Sequence, residues 1–208
     1  MADPDDFELL QAWRDGVQRA GNELFTRHFS AVNRFFRSKV DGGVEDLVQA
    51  TFLACAEARD NFRGTSSFRG YLFGIARHQL FGYYRRRRTD VDFETCSVID
   101  LGGSPSQAVG GREEQQLLLQ ALRRLPLDHQ IVIELYYWEE LKGPELADVL
   151  GISAHTVRSR LSRARASLRE SVERLASGQD VAESTLRNLE DWAAQLRQRL
   201  SPESTPQP

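Results

Sequence analysis

One helical stretch, residues 146–170, carries polar side chains at spacings that suit contact with nucleic acid. An arginine guanidinium reaches phosphate oxygens or the acceptor edge of guanine, and a short hydroxyl lets the backbone approach closely. Taken singly, Arg165 and Arg169 are better explained as solvated surface charges. The pattern as a whole predicts a DNA-reading helix whose polar face consists of His155, Arg158, Ser159, Ser162, Arg165 and Arg169.

The residues around this face predict two short helices joined by a tight turn. Gly151 suits the left-handed conformation that ends a helix, and Ser153 is a good N-cap for the next one. Pro144 fits the first turn of the preceding helix. An apolar stripe at spacings of four, three and four residues is formed by Val157, Leu161, Ala164 and Leu168. We therefore predict a helix-turn-helix.

A second segment, residues 61–88, alternates aromatic residues with arginines. Tyr83 and Tyr84 are hard to bury there, because the four arginines at residues 85–88 follow them. An aromatic ring stacks on an unpaired base with about 1–3 kcal/mol, and arginines follow the phosphate backbone. This combination indicates contact with melted DNA, although a solubilising helix end explains the arginine run equally well. The expected buried stripe of this segment is Phe68, Leu72, Ile75 and Leu80.

Charge along the chain is segregated rather than strongly biased. The 208 residues are 40% hydrophobic and 27% charged, which is enough for one globular domain or two small ones. A net charge of -3 argues against coating nucleic acid by bulk electrostatics. One basic patch comprises Arg77 and residues 85–88, and the other comprises Arg158, Arg160, Arg163, Arg165 and Arg169. Two separate patches predict two DNA contacts.

The sequence argues against membrane, metal and enzyme functions. It has no apolar run of the roughly 20 residues that a bilayer requires, and its acidic N-terminus is unlike a signal peptide. We therefore expect a cytoplasmic protein without membrane insertion. Cys55 and Cys96 are far apart and lack metal-ligand spacing, so neither a disulfide nor a zinc site is expected. Since no nucleotide-binding loop or nucleophile–base arrangement is found, we expect no metal, no cofactor and no catalytic residue.

Helical periodicity predicts an all-α chain of two small domains. The predicted helices span residues 7–13, 23–40, 44–58, 67–88, 113–125 and 127–141, ahead of the helix-turn-helix. Residues 95–111 are rich in glycine and serine and predict a flexible linker between the two groups.

The last part of the chain predicts a further amphipathic helix. Its apolar seam consists of Leu186, Leu189, Ala193, Leu196 and Leu200, with Trp192 beside it. Because two heptads are too short to be stable alone, we expect this helix to pack on a partner or on the chain's own domains, where it would cover a polymerase- or DNA-binding surface. A frayed solubilising tail is the alternative.

Motifs in both domains resemble one protein family. They are DLVQATF (46–52), FRGTSSFRGYLFGIAR (62–77), the four-arginine run, RRLP (123–126) and LADVLGISAHTVRSRLSRARASLRE (146–170). Together they look like an extracytoplasmic-function sigma factor, from the two-domain branch of the sigma-70 family of bacterial RNA polymerase subunits. The resemblance implies promoter-specific transcription initiation. It also implies region 2 at residues 6–92, a linker at 93–112, region 4 at 113–176 and a C-terminal extension at 177–208.

The resemblance further implies partners and residue roles. Region 2 would bind the polymerase β′ clamp helices through Asp46, Gln49 and Phe52. The loop at residues 61–67 would capture a flipped base. The minus-ten element would meet Asn61, Phe62, Arg63, Ser66, Arg77, His78, Tyr83, Tyr84, Arg85 and Arg86. Region 4 would contact the β flap and read the minus-thirty-five element through His155, Thr156, Arg158, Ser159, Ser162 and Arg163. The implied partners are core RNA polymerase, promoter DNA and an anti-sigma factor.

The sequence departs from the family pattern at a few positions. Ala50 stands where an acid is common, which puts one polymerase contact in doubt. His78 replaces a usual asparagine, which puts the base preference at the minus-ten element in doubt. Residues 142–144 replace a serine-aromatic start that is usual for this helix. A proline such as Pro144 is tolerated in the first turn of a helix, so this departure is expected to be neutral. A response-regulator output domain shares the helix-turn-helix pattern but leaves residues 46–88 unexplained.

Overall fold

The chain is helical throughout the part that the structure describes. This computed structural model describes residues 4–62, 64, 67–88, 91–101, 113–189, 191 and 195. Within these ranges it has no strand beyond an isolated bridge between Ser97 and Pro126, and the all-α prediction is confirmed. The helices are α1 (Asp6–Arg14), α2 (Gln18–Arg37), α3 (Val44–Glu57), α4 (Phe68–Arg87), α5 (Glu113–Arg123), α6 (Leu127–Tyr137), α7 (Gly143–Leu150), α8 (Ala154–Leu175) and α9 (Gln179–Arg187), with a 3-10 turn at Arg59–Asn61.

The first four helices pack into one unit, with α1 on α2, α2 on α3 and α3 on α4. α1 begins with a reciprocal cap, in which the Glu8 amide donates to Asp5 Oδ1 at 2.8 Å and the Asp5 amide donates to Glu8 Oε2 at 3.0 Å. α1 lies so close to α2 that a Cβ on Gly21 would be 2.6 Å from the Trp13 ring. A glycine at residue 21 is therefore required by packing.

The buried face of α4 follows the predicted stripe. Phe68, Leu72 and Leu80 are buried, and Ile75 is half-buried. Burying an aliphatic or phenyl side chain of this size stabilises the fold by about 1.5–3 kcal/mol relative to exposure. This stripe fixes the orientation of α4 and leaves His78 on its exposed side.

Helices α5 to α8 form a second unit, in which α8 packs on α5, α6 and α7. Gly151 ends α7 in the left-handed conformation, with φ 67° and ψ 34°. Ser153 caps α8, because its Oγ accepts from the Thr156 amide at 3.1 Å. The predicted apolar stripe is buried at Val157, Leu161, Ala164 and Leu168. The predicted helix-turn-helix is confirmed.

The first part of the predicted linker is packed on both units. Phe93 stacks on Phe81 of α4, with ring centroids 4.0 Å apart. The Leu127 amide donates to the Cys96 carbonyl at 2.9 Å, which joins the segment to α6. The expectation of a free tether is wrong for residues 93–101, because Phe93, Val98 and Leu101 are apolar and buried. The remainder, residues 102–112, lies outside the described residues.

The C-terminal extension folds back on the second unit. α9 packs on α5 and α8, and its Ala182 and Thr185 are buried. Ser177 Oγ donates to Glu113 Oε1 at 2.7 Å, and Gln115 Nε2 donates to Gln195 Oε1 at 2.6 Å. The described part therefore takes one of the two predicted arrangements, packing on the chain's own domain. Three predicted seam positions lie outside the described residues, Ala193, Leu196 and Leu200, as does the adjacent Trp192.

The two helical units also contact each other, chiefly where α7 meets α4. The buried hydrophobic residues form a single cluster that runs from Leu9 of α1 to Ala182 of α9. In the described residues the two helical units are therefore docked on each other. We call this arrangement closed; both candidate DNA-binding elements belong to it.

Candidate nucleic-acid interface

The N-terminal half of α8 presents an open polar face. The side chains of Arg158 and Arg163 are exposed, and Thr156 is half-buried with its Oγ1 2.8 Å from Ser153 Oγ. The partial positive charge at the start of a helix adds to the basic side chains and favours phosphate there. The predicted minus-thirty-five residues that are exposed are His155, Arg158, Ser159, Ser162 and Arg163.

One member of the second basic patch points inward instead. Arg160 is 9% exposed, and it donates to Asp128 Oδ2 at 2.9 Å and to Glu94 Oε1 at 2.7 Å. The prediction of a surface position for Arg160 is wrong, because it lies three residues after Val157 and shares the buried side of α8. Burial, together with the nearby Arg160 and Arg163, lowers the pKa of His129.

The outer part of α8 is partly engaged by aromatic rings. The Arg165 guanidinium lies 5.1 Å from the Tyr136 ring centroid and 5.4 Å from that of Tyr137. These ring contacts account for the position of Arg165 without DNA, although Arg165 and Arg169 are both exposed. Arg158 and Arg163 are the exposed arginines nearest the start of the helix.

The predicted minus-ten residues are divided between surface and interior. His78 and Asn61 are exposed, whereas Phe62 is 6% exposed and its ring lies 4.9 Å from that of Tyr71. Arg77 donates to Asp128 Oδ1 at 3.1 Å. At the end of α4, Arg85 and Arg86 are exposed. Two further members of the set, Arg63 and Ser66, lie outside the described residues.

Tyr83 and Tyr84 lie inside the fold. They are 9% and 3% exposed, and the Tyr84 hydroxyl donates to the Lys39 carbonyl. The Arg87 guanidinium lies 4.0 Å from the Tyr83 ring centroid and so covers that ring. The expectation that these tyrosines are hard to bury is wrong, because Tyr84 lies one helical turn after the buried Leu80.

The predicted polymerase-binding residues are likewise split. Asp46 and Gln49 of α3 are exposed, but Phe52 is 8% exposed and stacks against Phe29. The exposed apolar residue on this face is Leu53, at 57%. The sequence holds the signal for it, since Leu53 lies seven residues after Asp46 and four after Gln49, the spacing of one helical face.

Other site chemistries find no support in the described residues. No group of histidines, cysteines and carboxylates in those ranges could hold a metal ion. None of the described helices is both long and apolar enough to cross a membrane.

Comparisons with known proteins agree with the two-unit fold. A model described as "Sigma-70 region 2" matches residues 24–89, and one described as "Sigma-70, region 4" matches residues 115–168. The RNA polymerase sigma factor NccH of Alcaligenes xylosoxydans xylosoxydans is 33% identical over 177 residues, which cover 81% of this chain and 95% of NccH. The ECF RNA polymerase sigma-E factor of Escherichia coli K12 is 30% identical over 182 residues, covering 80% of this chain and 94% of that factor.

A solved structure shares the fold. The structure of CnrH in complex with the cytosolic domain of CnrY aligns with a TM-score of 0.63 and 30% identity, over 84% of this chain and 100% of the other. Two region models matched in chain order, and relatives covered almost from end to end, identify the family. The chain belongs to the extracytoplasmic-function group of the sigma-70 family of RNA polymerase sigma factors, which associate with RNA polymerase and direct the initiation of transcription.

Proposed function

We propose that this sigma factor reads a bipartite promoter, with α8 on the minus-thirty-five element and the α4 segment on the minus-ten element. The exposed polar start of α8 carries this proposal. It combines two arginines, Arg158 and Arg163, with hydroxyls short enough to let the helix enter a major groove.

At the minus-ten element, the loop before α4 and the exposed residues of α4 are proposed to hold melted DNA. Asn61 and His78 are accessible there, and Arg85 and Arg86 can follow the phosphate backbone. Capture of a base that has left the stack offsets an unstacking cost of a few kcal/mol. Base capture by the loop at residues 61–67 would therefore help to melt the promoter.

Core polymerase is proposed to bind both units. The face of α3 that presents Asp46, Gln49 and Leu53 suits the β′ clamp helices, because an apolar side chain stands beside polar ones. The second unit, residues 113–176, would meet the β flap, and residues 6–92 would form the polymerase- and minus-ten-binding domain. This activity places the protein in the cytoplasm with polymerase and DNA.

An anti-sigma factor is a further proposed partner. The support is that CnrH, which shares this fold, was solved in complex with the cytosolic domain of CnrY. Copurification of the chain with its bound proteins tests this directly.

The minus-thirty-five assignment is tested by Arg158→Ala with Arg163→Ala. We expect polymerase carrying this double variant to lose about 1–3 kcal/mol of promoter affinity per base contact removed. The matched control is Arg174→Ala, since Arg174 is also an exposed arginine of α8 but lies near its C-terminal end. Run-off transcription and filter binding should be measured on promoters with and without the minus-thirty-five sequence. Equal loss on both promoters would show that the face is not a sequence reader.

A further inference from the structure

The turn that leads into the loop at residues 61–67 is held by an arginine from a helix far away in the sequence. Arg14 of α1 donates from Nε to the Arg59 carbonyl at 3.1 Å and from Nη2 to the Phe62 carbonyl at 2.6 Å. Its Nη2 also donates to the Arg59 carbonyl. One guanidinium therefore holds the backbone both before and after Asn61.

The guanidinium has the shape that this contact requires. Its donors lie in one rigid plane, so it can reach two carbonyls whose positions are set by the turn. The Gln11 side chain accepts from Arg14 Nη1 at 3.1 Å and so helps to orient the plane. The Arg14 side chain is 20% exposed, whereas the Asp60 carboxylate, 3.9 Å from Arg14 Nε, is 73% exposed. Because an exposed ion pair contributes little, the two carbonyls are the main partners of Arg14.

Arg14 is itself held in place, because α1 is anchored on α2. Trp13, next to Arg14, is buried with its ring against Gly21 of α2. In the first turn of α1, Asp6 Oδ2 lies 2.7 Å from His28 Nε2 of α2. Contacts near both ends of α1 thus make it a fixed support for the Arg14 side chain.

Helix α4 holds the same turn at a second point. The Tyr71 hydroxyl donates to the Ala58 carbonyl at 3.0 Å. The Phe62 ring is buried and lies 4.9 Å from the Tyr71 ring. The resemblance assigns Phe62 to the minus-ten DNA, whereas in the structure both its ring and its carbonyl contact protein. Between these fixed points the Asn61 side chain is exposed.

Asn61 has the groups that read an unstacked base. Its side-chain amide offers donors and an acceptor, which suit the edge of a base that has left the stack. Such hydrogen bonds need a donor–acceptor distance near about 2.9 Å, so a small shift of the backbone breaks them. Since the backbone is held at Ala58, Arg59 and Phe62 before DNA arrives, less ordering remains to be done when the base binds.

We propose that Arg14 is a positioning residue for base capture. Its guanidinium fixes the turn at residues 59–62 so that Asn61 meets the unstacked base. Arg14 acts through the backbone rather than on the DNA, and α1 thereby becomes part of the minus-ten machinery. This inference rests on the proposed capture of a melted minus-ten base by the loop at residues 61–67.

Promoter DNA that lacks single bases measures base capture directly. The probe is a fork-junction DNA whose minus-ten strand is already single-stranded, with each base of that strand removed in turn. For holoenzyme with the unsubstituted chain, the affinity ratio of intact to abasic DNA is largest at the captured base. Arg14→Ala should lower that ratio about tenfold, the scale of one charge-assisted hydrogen bond. The matched control Arg19→Ala removes an exposed arginine of α2 and should leave the ratio unchanged.

Two further variants separate geometry from charge. Arg14→Lys retains the positive charge but not the planar fork, so the affinity ratio should stay low. Asp60→Asn removes the exposed ion pair and leaves both carbonyl contacts, so the ratio should stay at the level of the unsubstituted chain. An unchanged ratio in Arg14→Ala, or a fully restored ratio in Arg14→Lys, overturns the proposal. If the alanine variant does not fold, the lysine variant alone decides.

A double variant shows whether Arg14 acts through Asn61. Asn61→Ala should lower the same affinity ratio, and the addition of Arg14→Ala should lower it little further, because both changes remove one interaction. Effects that multiply would mean that Arg14 acts elsewhere and would refute the positioning role. Absence of any abasic penalty with the unsubstituted chain is a different result, since it refutes base capture itself and the role of Arg14 with it.

Hydrogen exchange tests the turn in the full chain without polymerase or DNA. The Asn61 amide donates to the Ala58 carbonyl at 2.9 Å, so it exchanges when the turn opens. Arg14→Ala should speed this exchange about tenfold and leave the amide of the buried Thr51 in α3 unchanged. Unchanged exchange at Asn61 would show that Arg14 does not hold the turn. Equal acceleration at Thr51 would show a general loss of stability, which also contradicts the proposal.

Discussion

Single side chains of this molecule have roles that depend on whether they face the interior or the solvent. Asp128 is buried and binds two arginines that the sequence assigns to DNA-binding patches, Arg77 and Arg160. On α8, Arg160 and Ala164 are buried on one side of the helix, while Arg158 and Arg163 remain exposed. The same helix therefore carries a structural arginine and arginines that are available to nucleic acid.

Tyr84 allows the structural role to be separated from a role in base stacking. We expect Tyr84→Phe to lower the free energy of unfolding by about 1 kcal/mol, because the Lys39 carbonyl loses its donor. Chemical denaturation measures this loss, with Tyr136→Phe as the control, since Tyr136 is 37% exposed. Open-complex formation should stay at the level of the unsubstituted protein once the variant is folded. A specific defect in strand opening at unchanged stability would support base stacking instead.

At the scale of helices, α3 presents an apolar side chain that the core does not use. We expect Leu53→Ser to weaken binding to core polymerase by about 1–3 kcal/mol, since a desolvated apolar contact is lost. The stability of the free chain should hardly change, because Leu53 is 57% exposed. Val17→Ser is the matched control, as Val17 is 50% exposed at the start of α2. Equal affinities of the two variants would exclude the α3 face as a polymerase contact.

The C-terminal helix α9 is expected to brace the second unit rather than to read DNA. It packs on α5 and α8 beside Glu173 and Ala176, at the opposite end of α8 from His155. Deleting residues 178–208 should lower the melting temperature by several degrees, since about 1 kcal/mol corresponds to roughly 2–4 °C in a chain of this size. A chain that ends at residue 200 is the control. Loss of minus-thirty-five recognition without destabilisation would contradict the bracing role.

The helices were predictable from the sequence because their signals are local. Gly151 and Ser153 mark the turn of the helix-turn-helix, and the structure places both as predicted. Leu53 and Tyr84 were accessible to the same reasoning, since helical spacing from Gln49 and Leu80 leads to them. The phenylalanine next to Leu53 and the arginine run that follows Tyr84 obscured this helical spacing.

The closure of the whole molecule could not be predicted in that way. Arg34 of α2 and Glu139, which follows α6, are 105 residues apart in the chain, and each looks like an ordinary surface charge in its local sequence. Only the packing of α7 on α4 brings them together and buries them. Contacts of this kind leave no periodic trace, so the sequence predicted two domains but not their docking.

Salt should affect the closed state and DNA binding differently. Exposed contacts of Arg158 and Arg163 with phosphates release counterions and weaken steeply as salt rises. The ion pairs that Glu139 and Asp128 form with arginines involve buried carboxylates, so salt screens these pairs much less. Raising the ionic strength from about 0.1 M to about 1 M should abolish promoter binding by the holoenzyme and leave the scattering radius of the free chain unchanged. Expansion of the free chain at high salt would show that the pairs are solvent-accessible.

The contact between α4 and α7 joins two parts of one polypeptide chain. A covalent connection between two units gives the second unit an effective concentration in the millimolar range at the surface of the first. A polymerase present at micromolar concentration competes against a local excess of about a thousandfold, which corresponds to about 4 kcal/mol. Closure therefore needs no strong interface: two surfaces that would hardly associate as separate proteins can remain docked until a large partner binds both units at once.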